Sequence, residues 1–266
     1  MRKGAVPFMA ETEIQNCITC FTENLHSILG DKLLSVYLYG SVTLGDYKDG
    51  WSDIDLIGFI AESVSPSEAE KLLMLRQSLV DSENEPLFRK IEGAVVSFDE
   101  FSEKRYTRLV YWGTSGQRIT DRYAFDVFSM FELMRYGQLI FGADIRDRLA
   151  LPSYSELASG VRGHYEVIRK FARETDESLY SCGWLLDIAR CLYTLRSGDI
   201  IGKTQAGEWA LKENLCPCKE ELIKTLAVRN DPLAYIALPD SKTWLRSLGP
   251  AVQLFADILE KELERL

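Results

Sequence analysis

Apolar positions along the chain fall into two regimes. In residues 11–30, ETEIQNCITCFTENLHSILG, Ile14, Cys17, Ile18, Phe21, Leu25 and Ile28 recur at intervals of three and four, which predicts an amphipathic helix ending at Gly30. LLSVYLYG (33–40) and SDIDLIGFI (52–60) are short runs rich in β-branched, aromatic and aliphatic residues and read as strands. SPSEAEKLLMLRQSLVDS (65–82) opens with Ser65 or Ser67 as N-cap and carries early glutamates and an apolar stripe, the marks of a helix. KIEGAVVSF (90–98) reads as a third strand. This α-β-β-α-β order predicts a small mixed sheet within roughly the first 110 residues.

From FDVFSMFELMRYGQLIFG (125–142) onward, helical spacing takes over. It predicts helices over 123–141, 153–176, 180–197, 204–214, 217–228 and 241–265, and strand signals largely stop. The Gly142–Pro152 stretch reads as the connection. The expected architecture is α+β, with a sheet domain over residues 1–145 followed by an α-helical bundle domain over 146–266.

The second strand contains a conflict. Asp53 and Asp55 sit one residue apart beside an apolar run, and strand geometry points both to the same face. Two ionised carboxylates side by side repel each other and tend to take up a proton unless something positive lies between them. Mg²⁺ is held by one or two carboxylates with waters and substrate phosphates. Just upstream, Gly40-Ser41 offers a close backbone approach, an N–H and a hydroxyl to a phosphate. Glu92, in the next strand, can complete a metal shell or act as a base on an acceptor hydroxyl. The chemistry that fits is in-line attack of a hydroxyl on a nucleotide α-phosphate with loss of pyrophosphate.

Composition removes several alternatives. With 266 residues and 46% hydrophobic content the chain can bury a large core, and no run approaches the ~18 apolar residues of a membrane span. The N-terminal MRKGAVPFMA lacks an apolar core of signal-peptide length, so a cytoplasmic protein is expected. The net charge of −9 disfavours a nucleic-acid partner and suits a cationic one. Six cysteines without a second ligand pair read as ordinary thiols, and with only His26 and His164 an HExxH zinc site is excluded.

LYGS followed by WSDIDLIGF resembles the signature of the DNA polymerase β-type nucleotidyltransferases, and that resemblance implies their fold for the first domain. GWLLDIARCLYTLRSGDIIGKTQAGEWAL (183–211) resembles the C-terminal helical domain of the aminoglycoside adenylyltransferases that modify the streptomycin 3''- and spectinomycin 9-hydroxyls. The resemblance implies ATP as co-substrate and two Mg²⁺ ions held by Asp53, Asp55 and Glu92. It also implies a nucleotide site of Gly40, Ser41, Ser52, Arg190 and Lys203, with Glu92 as general base. Read from their surroundings alone, Arg190 and Lys203 suit either a phosphate or local ion pairs with Asp187 and Asp199. Trp209 reads as a core anchor. The expected partner is a small, cationic, hydroxylated acceptor. Its charge asks for a carboxylate among Asp121, Asp126, Asp176, Glu177 and Asp187, and Trp112 is the candidate to pack on it. Tyr180 stands where streptomycin-accepting members carry an aspartate, which points toward spectinomycin or another hydroxylated cation. The competing readings are transfer to a protein side chain or another metabolite, and a regulatory protein that holds a nucleotide without turning it over.

Overall fold

The computed structural model describes residues 8–83, 86–113 and 116–266. In chain order the elements are α1 (Phe8–Leu29), β1 (Leu33–Tyr39), β2 (Ile54–Ile60), α2 (Pro66–Glu83), β3 (Ile91–Ser97), α3 (Phe98–Glu103), β4 (Leu109–Gly113), β5 (Gly116–Thr120), α4 (Val127–Tyr136) and β6 (Gln138–Gly142). These are followed by α5 (Tyr154–Phe171), α6 (Tyr180–Ser197), α7 (Lys203–Lys212), α8 (Lys219–Asn230), α9 (Pro232–Ile236), α10 (Ser241–Arg246) and α11 (Gly249–Leu263). The chain forms two compact units. The sheet unit gathers residues up to Thr43, Asp53–Phe125 and Glu132–Leu151; the helical unit gathers Leu44–Ser52, Asp126–Phe131 and Pro152–Leu266. The main division thus falls after Leu151, and two short segments of the expected first domain group with the helices.

In the sheet unit the strand order is β5-β4-β3-β2-β1-β6. β1 and β2 pair antiparallel; β2 and β3 pair parallel, with α2 as the crossover that a parallel pair needs. The start of α2 is a reciprocal cap: Glu68 N–H donates to Ser65 Oγ and Ser65 N–H donates to Glu68 Oε2. Partners across a sheet share a face, so register places Tyr39, Asp55 and Glu92 together on one side. Leu56, Gly93 and Trp112 lie on the other, where α1 and α2 pack: Phe21 meets the Trp112 ring edge-on at 5.3 Å, and Trp112 Nε1 donates to Leu72 O. Trp112 is therefore a core residue, 2% exposed, and not the acceptor-stacking residue expected.

Close approach of β2 and β3 depends on Gly93. Its φ is +145°, and a Cβ there would stand 1.7 Å from Leu56 O. Gly93→Ala is expected to destabilise the sheet unit by at least the ~1–3 kcal/mol of a strained backbone, since a rigid main-chain clash adds to it. Thermal unfolding reads the effect; an unchanged midpoint would show that the strands can part at no cost.

Two expectations about the second half fail. The helix expected over 123–141 stops at Tyr136, and Gln138–Gly142 forms β6 along the edge of β1. With β4 and β5, that makes three strands beyond the three expected; each is five residues long, too short to show alternation against its surroundings. The helix expected over 241–265 is broken into α10 and α11 at Ser247–Leu248, because Pro250 has no N–H and is tolerated only in a first turn.

In the helical unit α6 is buried on most of its circumference and touches α5, α7, α8 and α11. The segment Leu44–Ser52 is tied into this unit through Asp46. Its Oδ2 accepts from Arg229 Nη2 at 2.7 Å and from Thr204 N–H at 3.0 Å, and its carbonyl accepts a second bond from Arg229. The Arg229 guanidinium also donates to Thr204 Oγ1 and lies 5.2 Å from the Trp51 ring centroid.

Candidate active site

In the sheet unit, β1 ends in a turn at Gly40 with φ +73°, where a Cβ would stand 2.1 Å from Asp55 Oδ2. Only glycine leaves the Asp55 carboxylate that space, so the backbone and the carboxylate are in contact. Thr43 Oγ1 donates to Gly40 O, and Ser41 Oγ lies 3.5 Å from Asp53 O, too long to be a strong bond. Asp55 pairs across the ladder with both Tyr39 and Glu92. Burial raises the Tyr39 hydroxyl well above its ordinary pKa, and the charges of Tyr123 and Asp55 add to this.

Asp53 and Glu92 are coupled. Burial, then the Glu92 charge and a hydrogen bond to it, push the Asp53 carboxyl up to about 6, against the pull of Lys90 and Arg76. Arg76, on α2, donates from Nη1 to Ile91 O at 3.0 Å and Gly113 O at 3.2 Å, which brings positive charge beside Glu92 and Asp53. Tyr111 Oη donates to Glu92 Oε1 at 2.6 Å. The cation that two adjacent aspartates call for is thus partly supplied by Arg76 and Lys90, residues that no motif singled out.

Do these acids suit a divalent cation? Among the described residues no three His, Cys, Asp or Glu side chains converge as a ready shell. Asp53 is bonded to Glu92 while Asp55 lies against Gly40. Mg²⁺ needs only one or two carboxylates, and a buried carboxyl raised by burial first and by the neighbouring Glu92 charge second is relieved by a divalent cation as well as by a proton. The residues fit the ion.

Ser52 belongs to the helical unit, where its buried hydroxyl accepts from Lys48 N–H at 3.0 Å and closes the turn of residues 48–52. Arg190 and Lys203 meet at Asp187, whose Oδ1 is 3.0 Å from Lys203 Nζ and 3.8 Å from Arg190 Nη2. Burial favours the protonated form of Asp187, but Lys203 and Arg190 outweigh it and hold the carboxyl below its usual range. Asp187 and Lys203 border a cavity of about 400 Å³ in this unit, walled by Phe128, Tyr180 and Trp184 and reached by Asp126 and His164. Burial lowers the His164 pKa, and the imidazole stands edge-on to Phe128 at 5.1 Å. Asp126 also accepts from Ser129 N–H at the start of α4. Of the other acids, Asp176 is used by Ser178 and Ser181, and Glu177 by Lys242 and Arg246. Trp209 is half-buried and packs edge-on against Tyr193. None of the six cysteines is in a disulfide.

Residues 161–227, spanning α6 and α7 with the Arg190, Lys203 and Trp209 positions, match the family profile of the aminoglycoside adenylyltransferase C-terminal domain. The match covers about a quarter of the chain and lies within the helical unit. The solved structure of spectinomycin adenyltransferase AAD(9) from Enterococcus faecialis, with ATP and spectinomycin, shares the fold: TM-score 0.65 at 16% identity, over 94% of this chain and 99% of that one. A STING-associated CdnE c-di-GMP synthase from Capnocytophaga granulosa is more distant, with TM-score 0.32 and 17% identity over 94% of this chain and 83% of that one. No curated protein sequence matches significantly. The adenylyltransferase domain and the shared α+β fold together support a nucleotidyltransferase of the aminoglycoside adenylyltransferase type. No helix among the described residues is long and apolar enough to cross a membrane.

Proposed function

We propose that this protein moves AMP from ATP to a hydroxyl of a small, cationic, aminoglycoside-type acceptor, releasing pyrophosphate. The observation that carries this reading is the placement of Asp55 against the Gly40 backbone and of Asp53 against Glu92, on adjacent strands of a chain with an adenylyltransferase C-terminal domain. Gly40 and Ser41 take the triphosphate by close backbone approach. Asp53 and Asp55, with Glu92 beside them, hold Mg²⁺, which when bound neutralises phosphate charge and aligns attacking and leaving oxygens. Glu92 accepts the proton of the acceptor hydroxyl.

Arg190 and Lys203 supply positive charge to the phosphates; Asp187 keeps both ordered until then. The aromatic walls and the Asp126 carboxylate of the 400 Å³ cavity suit the ring and cation of the acceptor. With Tyr180 on that wall in place of an aspartate, spectinomycin is the favoured acceptor.

The test is Mg²⁺-dependent pyrophosphate release from ATP against a panel of spectinomycin, streptomycin and kanamycin-type compounds, with Asp53→Asn as control. Release with spectinomycin, abolished in Asp53→Asn, is the expected result. Silence across the panel with ATP still bound would move the reading to a protein or metabolite acceptor.

A further inference from the structure

We infer that Tyr111 is a positioning residue for the transfer: it pins one oxygen of Glu92 so that the carboxylate presents the other to the acceptor hydroxyl. The inference rests on the reading of Glu92 as general base given above.

Tyr111 pairs with Ala94 across the β3–β4 ladder, one step along the same face from Glu92. Diagonal neighbours on a sheet face lie within reach of a long aromatic side chain. The 2.6 Å bond from Tyr111 Oη to Glu92 Oε1 has the length of a charge-assisted O–H···O contact. Two further features hold the ring in this pose. The Arg118 guanidinium lies 4.4 Å from its centroid. Two residues along β4, a Cβ on Gly113 would stand 2.3 Å from Tyr111 Oη and 2.6 Å from Cε1 and Cζ. The tyrosine leans along its strand into the space that Gly113 alone leaves open, and the lean delivers the hydroxyl to Glu92. The other charged groups around Glu92 are Asp53, Asp55 and Arg76. Asp53 bonds Glu92 only through a proton shared between the two carboxyls and repels it otherwise, and Arg76 is committed to the carbonyls of Ile91 and Gly113. The phenol is a single directional bond.

Tyr111→Phe deletes one oxygen and keeps the ring, whereas Gly113→Ala keeps the hydroxyl and fills its berth. With the full-length protein, saturating ATP and Mg²⁺, and the acceptor identified in the panel, Tyr111→Phe is expected to lower kcat about 10- to 100-fold, the scale of a misplaced reacting group. Both KM values should stay within about twofold of wild type, and Gly113→Ala should change kcat in the same direction. The double variant Tyr111→Phe/Glu92→Gln should be no slower than Glu92→Gln alone, because Tyr111 acts through Glu92. A wild-type kcat in Tyr111→Phe, or additive losses in the double variant, overturns the inference.

Thermal unfolding of wild type, Tyr111→Phe, Glu92→Ala and the double variant Tyr111→Phe/Glu92→Ala needs no turnover, and alanine, unlike glutamine, removes the acceptor of the Tyr111 bond. The two single shifts in Tm should fail to add by a few degrees. Additive shifts would show that the phenol does not hold Glu92, whatever the acceptor. Non-additive shifts together with a fully active Glu92→Gln would instead remove the general-base reading, and the role of Tyr111 with it, so the two failures are told apart.

Discussion

Glu92→Gln is expected to lower kcat by about 10²–10⁴-fold, the range that a positioned general base contributes, while ATP remains bound. Glutamine keeps the length of the side chain and an oxygen that can still accept from Tyr111 Oη, so the fold and the local hydrogen bond survive. What disappears is the charge that takes up the acceptor proton. A second consequence tests the same geometry: the Glu92 charge and hydrogen bond are part of what pushes Asp53 up to about 6, and burial, the larger cause, stays behind in the variant. Pyrophosphate release in the steady state gives the rate, and calorimetric titration with ATP gives the binding. A rate equal to wild type would take the base assignment away from Glu92; loss of ATP binding along with the rate would make it a nucleotide ligand instead.

The largest expected loss of stability lies in the other unit. Arg229→Met should cost about 3–5 kcal/mol, the usual penalty for removing one partner of a buried ion pair. Arg229 and Asp46 are 2% and 4% exposed, and the guanidinium supplies two of the bonds that hold Asp46, one to the carboxylate and one to the main chain. In the variant, the buried Asp46 carboxylate would keep Thr204 N–H and lose its counter-charge. Asp46→Asn, which retains an acceptor for both Thr204 and Arg229, should cost less. A drop in Tm of roughly 10 °C for Arg229→Met, and a smaller one for Asp46→Asn, is expected. Equal and small effects would mean that water reaches the pair.

Much of this was legible in the chain itself. β1, β2 and β3 announce themselves by short apolar runs, α1 and α2 by their three-four spacing and their termini at Gly30 and Ser65, because each of these signals is local. Asp53, Asp55 and Glu92 stand out for the same reason: charged residues interrupt runs that are otherwise buried, and side-chain alternation places the first two on one face. The partition into a sheet region and a helical region follows from the change of period along the chain.

Other features depend on partners far away in sequence. β6 is a strand because it lies along β1, and five residues of QLIFG carry too little alternation to be separated from the helix before them. Trp112 faces Phe21 and the Leu72 carbonyl rather than a ligand, which register with β3 decides. Tyr111 and Glu92 are 19 positions apart, and Asp46 and Arg229 are 183 apart. Hydrophobic periodicity sets which face of an element is buried, and so β1 to β3, α1 and α2, the two regimes and the acidic motif could be read along the chain. Which side chain meets which depends on pairing register and close packing between distant segments, and it takes the folded chain to bring Arg190 and Lys203 to Asp187, Arg229 to Asp46 and a tyrosine to the proposed base.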